Sequence, residues 1–491
     1  MSALKTLAKE TIVYGLSYSL GRVINFLLVT FYLTHYVFTK QDGSISLYQD
    51  LYFYIAIFLG ILTLRMETTL FRFINKAEFK DTIYALLTQL VFIACIAFIF
   101  FYLIFKNQIL RFLQYPEDFA ACVFLACLIL IFDVLVSLPF AKLRYDKRPL
   151  KYAWIKLSSI LLNIVFVLYI FEIHFNDSTI LGLSSSSKIF YILLANVVSS
   201  FVTLLLLYKE IQDSFRKADW SKLKQILEYS WPLIVITLIY TVIQNGYTSF
   251  LKFILPGTRL ENLTASDDLV AAVRLAVIMN IFITAFNYAA EPFFFRQAES
   301  KDSRINYANL NLFFVFACCI IYLLTCLNVS LISLLIGPEY QDAMYLLPVF
   351  LLANIFAGLY SNISAWYKLT DRTKDAAWIS LIGLIVNCIL FFLLIPIFGK
   401  EATAYISLIV YFVMTLISYL QGQKYYPIPY NLIKTSAYLC ATIAVVYVVN
   451  YLMVILQFNA LINAFISLLL AALLVYIIYH FEWKKLTENQ K

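Results

Sequence analysis

The sequence predicts an all-α integral membrane protein with about fourteen transmembrane helices. The first observation is composition: 62% of the 491 residues are hydrophobic and only 13% are charged, whereas a soluble domain is about 25% charged. The second is the length of the apolar runs, about 20 residues each, which suits helices that cross a bilayer. Strands of membrane barrels are about 10 residues long and alternate in polarity, so a barrel is excluded.

Each predicted helix can cross a hydrocarbon layer of about 30 Å. The predicted spans are 11–35, 51–71, 82–105, 119–141, 152–172, 189–208, 229–254, 269–295, 307–328, 343–366, 375–397, 402–420, 433–454 and 460–480. With the N-terminus inside, 26 of the 37 Lys and Arg residues fall on the inner side and six on the outer side. Because cytoplasmic loops collect Lys and Arg, both termini are predicted to be cytoplasmic. The net charge of +8 is attributed to this topology, not to nucleic-acid binding.

The two halves of the chain resemble each other at an offset of 224 residues. The matching pairs are Trp154 with Trp378, Asn163 with Asn387, and Glu67-x-x-x-Phe71-Arg72 with Glu291-x-x-x-Phe295-Arg296. The repeat predicts two pseudo-symmetric six-helix bundles, 1–208 and 229–421, joined by a cytoplasmic amphipathic linker at 209–228. Residues 422–491 then hold helices 13 and 14. Parallel repeats of this kind build transporters whose site lies between the halves.

Charged side chains within the spans are the candidate functional residues, because each costs at least about 2.5–3.5 kcal/mol at the centre of a bilayer. A cavity that meets an anionic substrate would explain the cations, and ion pairs or snorkelling to the interface are the alternatives. The candidate substrate-binding cations are Arg22, Arg65, Lys156, Lys252 and Arg274. Arg22 lies deepest, and Tyr18 and Asn25 share its helix face.

One acidic residue, Asp133, stands in the middle of the fourth predicted span, where it is either an ion-coupling site or a structural partner of Arg22 or Lys156. The eighth span carries a polar stripe at helical spacing. The stripe lines a translocation path or holds helices together, and its members are Asn280, Thr284, Asn287 and Glu291.

Four repeated charges, Glu67, Arg72, Glu291 and Arg296, mark the inner ends of the second and eighth spans. They are predicted to be structural or to form an inner gate. Glu67 and Arg72 are five residues apart and would pair poorly within one helix, so partners on other helices are expected. The sequence contains no phosphate loop, no zinc-protease motif and no nucleophile elbow, and neither a metal nor another cofactor is predicted.

Two segments, LAKETIVYGLSYSLGRVINFLLVTFYLTHY (Leu7 to Tyr36) and LYQDLYFYIAIFLGILTLRMETTLFRF (Leu47 to Phe73), resemble the Wzx-type polysaccharide flippases. These belong to the multidrug/oligosaccharidyl-lipid/polysaccharide exporter superfamily, which includes the MATE transporters. The position before METxLFRF is usually Gly in that family, and here it is Arg65. This departure adds a cation where the family pattern has none.

The resemblance implies two six-helix bundles facing a central cavity in the bacterial inner membrane. It implies flipping of an undecaprenyl-pyrophosphate-linked oligosaccharide, an O-antigen (lipopolysaccharide) or capsule repeat unit, to the periplasmic leaflet by alternating access. It further implies coupling to H⁺ or Na⁺. The implied partners are membrane lipids, a polysaccharide polymerase and assembly proteins. Helices 13 and 14 are expected to hold the lipid tail, as is suggested for related lipid II flippases.

Two other functions stay open from the sequence. One is a cation-coupled multidrug exporter of the same fold, and the other is a membrane-embedded polysaccharide polymerase or ligase. The excess of basic over acidic residues in the predicted spans favours an anionic headgroup over cationic drugs. The short outer loops and the repeat argue against an enzyme, so the sequence favours a transporter without catalytic residues.

Overall fold

The computed structural model describes residues 20–21, 23–40, 43–76, 78–79, 82–115, 117–174, 180, 183–215, 217–297, 303–370, 372–457 and 459–483. Within these ranges the chain forms helices and turns without a strand, and twelve helical segments are long and apolar enough to cross a membrane. This agrees with the predicted fold class. Tyr18 and Arg22 lie outside the described residues, as do the side chains of Glu291 and Arg296.

The chain forms two compact units, each defined by contacts among its own residues. Unit one is Met1–Val270 with Cys388–Lys400, and unit two is Ala271–Asn387 with Glu401–Lys491. These limits differ from the predicted bundles, since the first helix after the linker packs on the helix that starts at Ser44. The six-plus-six arrangement therefore stays a prediction.

Unit one contains eleven of the helices that the structure describes, and the twelfth begins there. They are α1 (Val23–Val37), α2 (Ser44–Leu62), α3 (Met66–Phe73), α4 (Ile83–Leu113), α5 (Ala120–Tyr145), α6 (Pro149–Leu168), α7 (Ser185–Leu206), α8 (Tyr208–Gln212), α9 (Leu223–Asn245), α10 (Tyr247–Ile254), α11 (Arg259–Thr264) and α12 (Asp267–Gln297). Helix α5 packs on α2, α4 and α7. Its inward face is apolar and buried around Val134 and Leu138.

Large apolar side chains cover the outward faces of these helices. On α4, Phe100 and Ile104 are 60% and 66% exposed, although the helix is strongly apolar over its whole length. In water such a surface would be unfavourable, and in lipid the hydrocarbon chains solvate it. The exposed belt therefore supports the membrane assignment independently of helix length.

Unit two contains the rest of α12 and the C-terminal helices. They are α13 (Ser303–Leu327), α14 (Val329–Ile332), α15 (Leu347–Ile363), α16 (Ala365–Leu369), α17 (Thr373–Phe398), α18 (Ala402–Tyr425), α19 (Leu432–Leu456) and α20 (Ala460–Ile478). Helices α15 and α18 pack closely on each other, and α13 contacts α15, α19 and α20. The section of α17 from Cys388 to Phe398 belongs to unit one.

The predicted spans and the observed helices agree in position with two differences in count. A helical run of 52 residues, Lys374–Tyr425, contains two predicted spans, and Gly399 separates them with a left-handed backbone (φ 66°) that glycine adopts without strain. Of the first predicted span, 11–35, the structure describes residues 20–21 and 23–35. The apolar helix there runs from Val23 to Val37, which is shorter than a full membrane span. The number fourteen therefore stays a prediction, while twelve candidate spans are shown among the described residues.

The internal repeat has a counterpart in the helix starts. Helix α6 begins at Pro149 and α17 at Thr373, which is the predicted offset of 224 residues. Trp154 and Trp378, the repeated pair near these starts, are similarly exposed at 65% and 62%. The matching starts support a common origin for the two segments.

The predicted second span is broken. Helix α2 ends at Leu62, Leu64 and Arg65 have positive φ angles of 49° and 53°, and α3 starts at Met66. A left-handed conformation costs a non-glycine residue about 1–2 kcal/mol. The repeat position of Arg65 is Ala289, which lies inside the uninterrupted α12, so the break belongs to the first copy only.

The predicted linker is partly integrated into unit one. Glu210 on α8 accepts from Lys151 Nζ at 2.6 Å, Lys142 pairs with Asp213, and Gln89 donates to the Ser214 carbonyl at 3.0 Å. The following turn is capped by Asp219, whose pKa is lowered by a hydrogen bond from the Ser221 hydroxyl. A location on the membrane surface stays a prediction.

Candidate functional site

A polar pocket of about 200 Å³ lies inside unit one, between α1, α2, α5, α6 and α7. Most helix surfaces in this unit are apolar, and this pocket is lined by amides, hydroxyls and charges. Ionisable side chains inside a membrane are costly and typically mark a functional site. The polar lining residues are Asn25, Tyr48, Tyr52, Asp133, Lys156, Ser159, Asn163, Asn196, Ser199 and Ser200.

Asp133 on α5 is the acidic group of this pocket. Ser200 Oγ on α7 donates to its Oδ1 at 3.0 Å. Lys156 on α6 lines the same pocket, with its ammonium group 5.4 Å from the centre of the Phe140 ring. The structure thus brings together three sequence-predicted residues, Asn25, Asp133 and Lys156.

Helix α7 supplies a part of the site that the sequence reading missed. Asn196 Nδ2 donates to the Tyr52 hydroxyl at 2.6 Å, and Ser200 Oγ lies 3.4 Å from Asn196 Oδ1. Asn196, Ser199, Ser200 and Thr203 follow the i, i+3, i+4, i+7 spacing of one helix face. Like the stripe on the eighth span, whose members are four, three and four residues apart, this spacing places the polar side chains on one helix face, and it was visible in the sequence.

Lys252 lies elsewhere, in a sealed ion pair. Its Nζ is 2.5 Å from Asp50 Oδ2, and both side chains are 0% exposed. The Tyr115 hydroxyl donates to Asp50 at 2.6 Å and the Ser249 hydroxyl at 2.5 Å. The expectation of a cavity cation is therefore corrected for Lys252, because its charge is neutralised within the protein.

The residues at the inner end of the predicted second span lie away from the polar pocket, and a substrate-binding role for Arg65 stays a prediction. Arg65 is exposed at the break between α2 and α3, and does not line the polar pocket. Glu67 pairs with Arg144 at the end of α5, which is the partner on another helix that the spacing predicted. Arg72 is exposed.

The candidates of unit two lie on α12. Arg274, Asn280, Thr284 and Asn287 are half-buried. The Thr284 hydroxyl donates to the Asn280 carbonyl one turn earlier, at 2.7 Å, a bond that satisfies the hydroxyl within its own helix. Their role as a path lining stays a prediction.

The last two helices form a second opening in unit two, of about 710 Å³. Asn328 Nδ2 donates to Ser467 Oγ on α20 at 2.7 Å, and Asn450 Nδ2 on α19 donates to the Cys326 carbonyl at 3.3 Å. These bonds attach α19 and α20 to α13. Most of the side chains that line the pocket are apolar, and its polar side chains include Asn450, Gln457 and Asn463.

Comparison with solved structures identifies the fold. Over 96% of this chain and 99% of the other, the structure superposes on the lipid II flippase MurJ in an inward closed conformation, with a TM-score of 0.67 and 13% identity. An outward-facing multidrug resistance MATE transporter of the MOP superfamily matches 88% of this chain and 96% of its own, with a TM-score of 0.61 and 14% identity. A mutant of the Vibrio cholerae MATE transporter VcmN matches 86% and 97%, with a TM-score of 0.54 and 15% identity.

No protein-family model matches the sequence, and no curated protein matches it. The chain is therefore a multi-pass membrane protein with the fold seen in MurJ and in the MATE transporters. At this level of identity the similarity shows the fold alone.

Proposed function

We propose that the protein is a flippase that moves an undecaprenyl-pyrophosphate-linked oligosaccharide between the leaflets of the bacterial inner membrane. The observation that carries this proposal is the similarity to the lipid II flippase, which extends over 96% of this chain. Two MATE structures cover 86% and 88%. The difference is roughly the size of α19 and α20, the two helices that a lipid-handling member would add.

The polar pocket supports a coupled mechanism. A carboxylate inside a membrane protein is costly unless it binds a cation or a proton, and Asp133 is surrounded there by hydroxyl and amide oxygens that suit either one. Binding of H⁺ or Na⁺ would change the charge of the pocket beside Lys156. Such a change can shift the equilibrium between two conformations of the helix bundle, provided that the ion binds them with different affinities.

Fewer cations are candidate contacts for an anionic substrate than the sequence suggested. Lys252 is neutralised by Asp50, so the proposed headgroup contacts reduce to Arg22, Arg65, Lys156 and Arg274. Guanidinium groups bind pyrophosphate bidentately, which favours Arg22, Arg65 and Arg274 over Lys156. The opening beside α19 and α20 is the proposed place for the isoprenoid tail.

The experiment that tests this function is disruption of the gene in its host. We expect surface polysaccharide to disappear and its lipid-linked repeat unit to accumulate on the inner side, while resistance to cationic drugs stays unchanged. A gene copy carrying Lys156→Gln should fail to restore the polysaccharide, and Lys209→Gln, at an exposed position, should restore it. Normal polysaccharide together with a loss of drug resistance would instead support the multidrug exporter.

Coupling is tested separately with imposed gradients. Vesicles holding the wild-type protein should flip substrate faster under an inward proton or Na⁺ gradient, and those holding Asp133→Asn should not respond. The matched control is Glu228→Gln, a carboxylate that is 66% exposed. An unchanged response in Asp133→Asn would remove Asp133 from the mechanism.

A further inference from the structure

An elongated apolar pocket of about 470 Å³ lies in unit one, on the side of α2, α4 and α5 that faces away from α7. The described lining is almost entirely carbon, with aromatic rings along α4. It is lined by Leu51, Tyr54, Phe58, Phe98, Phe101, Phe105, Ile109, Phe112, Ala126, Cys127 and Leu130, among others. It shares no residue with the polar pocket around Asp133.

The pocket has the length of one lipid leaflet. Its lining on α4 runs from Phe98 to Leu113, about 22 Å by the helical rise. Half of a bilayer that is about 40–45 Å thick with its headgroup regions is about 20–22 Å. The pocket therefore follows the helix from near the middle of the membrane to the interface, which is the path of an extended acyl chain.

The pocket is open to the surrounding lipid along its length. Phe101, Phe105 and Phe112 line it and are still 44%, 41% and 62% exposed. A hydrocarbon chain can enter sideways from the bilayer without crossing a polar surface. The polar side chains of the lining are few, chiefly Gln108, Tyr54 and Tyr102, so a substrate that arrives from water would find few hydrogen-bond partners inside.

Cations flank the half of the pocket that is nearest the end of α4. Arg111 lies in the last turn of α4, and Lys106 lies seven residues, about 10 Å, before its last residue, Leu113. Both are exposed, on either side of the lining face. Neither forms an ion pair with a carboxylate among the side chains that the structure describes. Arg259 lies 4.6 Å from the centre of the Phe253 ring, and that ring is 5.6 Å from Phe112 of the pocket. Arg111 and Arg259 lie by the end of the groove, and the long side chain of Lys106 can extend from two turns earlier toward the interface. Together these cations complement the phosphate of a lipid whose tail lies in the groove.

We propose that this groove binds an anionic diacyl phospholipid, with one acyl chain in the pocket and the phosphate at Lys106, Arg111 and Arg259. In the predicted orientation the lipid comes from the outer leaflet. This site is independent of the proposed flipping activity, since it needs neither the polar pocket nor the substrate. The bound lipid would fill the gap between α2, α4 and α5 and stabilise unit one.

Tyr54 links the groove to the buried ion pair. It lines the groove, and its hydroxyl lies 3.3 Å from Ser249 Oγ, which donates to Asp50. A lipid that packs on the Tyr54 ring therefore also restrains the network that holds α2 to α10. Binding should raise the melting temperature of the whole protein, because a ligand that binds the folded state stabilises it.

The test is native mass spectrometry of the full-length protein in detergent, with phosphatidylglycerol and phosphatidylcholine of identical acyl chains. We expect phosphatidylglycerol adducts to exceed phosphatidylcholine adducts by about fivefold or more, from the attraction of basic side chains to anionic lipid. Lys106→Gln with Arg111→Gln should abolish the preference. The matched control, Lys209→Gln with Lys224→Gln, removes two exposed cations from another part of the surface and should keep it.

A second pair of variants tests the tail pocket. Cys127→Phe fills the groove and should reduce both phospholipid adducts, whereas Leu103→Phe, on the exposed side of α4, should leave them unchanged. If Cys127→Phe does not fold, a phospholipid with a photoreactive acyl chain gives the same answer on the wild-type protein. Its adducts should map to the α4 and α5 residues of the groove.

Three results would overturn the assignment. Equal retention of the two phospholipids would show that the three cations do not bind the phosphate. Photoadducts spread evenly over the exposed helices would show that the acyl chain does not bind in the groove. Displacement of phosphatidylglycerol by an isoprenoid phosphate at equal concentration, without the reverse displacement, would assign the groove to the isoprenoid tail instead.

Discussion

Asp50 and Lys252 show at the scale of single residues how unit one keeps charges inside a membrane. Both are fully buried, and Asp50 accepts hydrogen bonds from Lys252, Ser249 and Tyr115. Each of its oxygens has a donor, and the ammonium group also lies 4.7 Å from the Tyr115 ring centre. Breaking a buried pair leaves an uncompensated charge, which costs about 3–5 kcal/mol.

Asp50→Asn is therefore expected to destabilise the protein by about 3–5 kcal/mol. The single oxygen of the asparagine keeps the acceptor position for Ser249 or the one for Tyr115, and its amide group takes the other, while Lys252 loses its counter-charge. Adding Lys252→Met should recover most of the loss, because it removes the orphaned cation. Thermal unfolding in detergent measures both, and a melting temperature of Asp50→Asn equal to the wild type would contradict a structural ion pair.

Asp50 lies outside the predicted spans and therefore was not among the charges predicted to lie within the membrane. Asp50 stands one position before the predicted start of the second span, while the observed helix begins earlier, at Ser44. A shift of six or seven residues at a helix start thus decides whether an acid is read as a loop residue or as a buried partner. Element boundaries are the least certain part of any prediction from sequence.

At the scale of elements, the break between α2 and α3 is the main departure from a regular helix. Leu64 and Arg65 are both left-handed, and neither Gly nor Pro announces the break in the sequence. The polysaccharide flippases that the sequence resembles usually have Gly where Arg65 stands, and a positive φ is the conformation that Gly adopts most easily. The left-handed backbone therefore gives a physical reason for that preference.

Arg65→Gly should stabilise the protein by about 0.5–1 kcal/mol, since relief of the left-handed conformation outweighs the greater freedom of Gly in the unfolded chain. The matched control is Arg72→Gly, an exposed position inside α3, where Gly should destabilise by up to about 1 kcal/mol. Opposite shifts of the melting temperature are expected. Destabilisation by both variants would mean that the Arg65 side chain makes an important contact.

The contact of Glu67 with Arg144 joins α3 to the end of α5. Both side chains are partly exposed, so the pair contributes at most about 1 kcal/mol. The Arg144 guanidinium also lies 5.3 Å from the Phe71 ring, which holds it on α3. The pair therefore fixes the short helix after the break in one orientation.

Reversing either charge, Glu67→Arg or Arg144→Glu, should lower the melting temperature and the flipping rate, because two like charges then meet. The double reversal should restore both properties at least partly. A double variant no better than the worse single variant would show that the two residues act separately.

At the scale of the whole molecule, the sequence was sufficient to predict an all-α membrane protein with a MATE-like fold, while the fourteen spans and the two six-helix bundles stay predictions. Long apolar runs fix helices in a membrane, and the repeat offset agrees with the starts of α6 and α17. It also identified Asn25, Asp133 and Lys156, which share the polar pocket. Helical periodicity shows which residues share a face, but it does not show which faces meet, so the α7 stripe and the sealed position of Lys252 needed the structure.

The measurement that tests the central claim most directly is flipping in proteoliposomes. Purified protein is reconstituted with a fluorescent pyrophosphate-linked isoprenoid oligosaccharide, and quenching from outside reports its movement between leaflets. We predict a rate at least about tenfold above protein-free liposomes, with no transport of a cationic dye by the same vesicles. A rate equal to that of protein-free liposomes, or accumulation of the dye alone, would contradict the assignment as a lipid-linked oligosaccharide flippase.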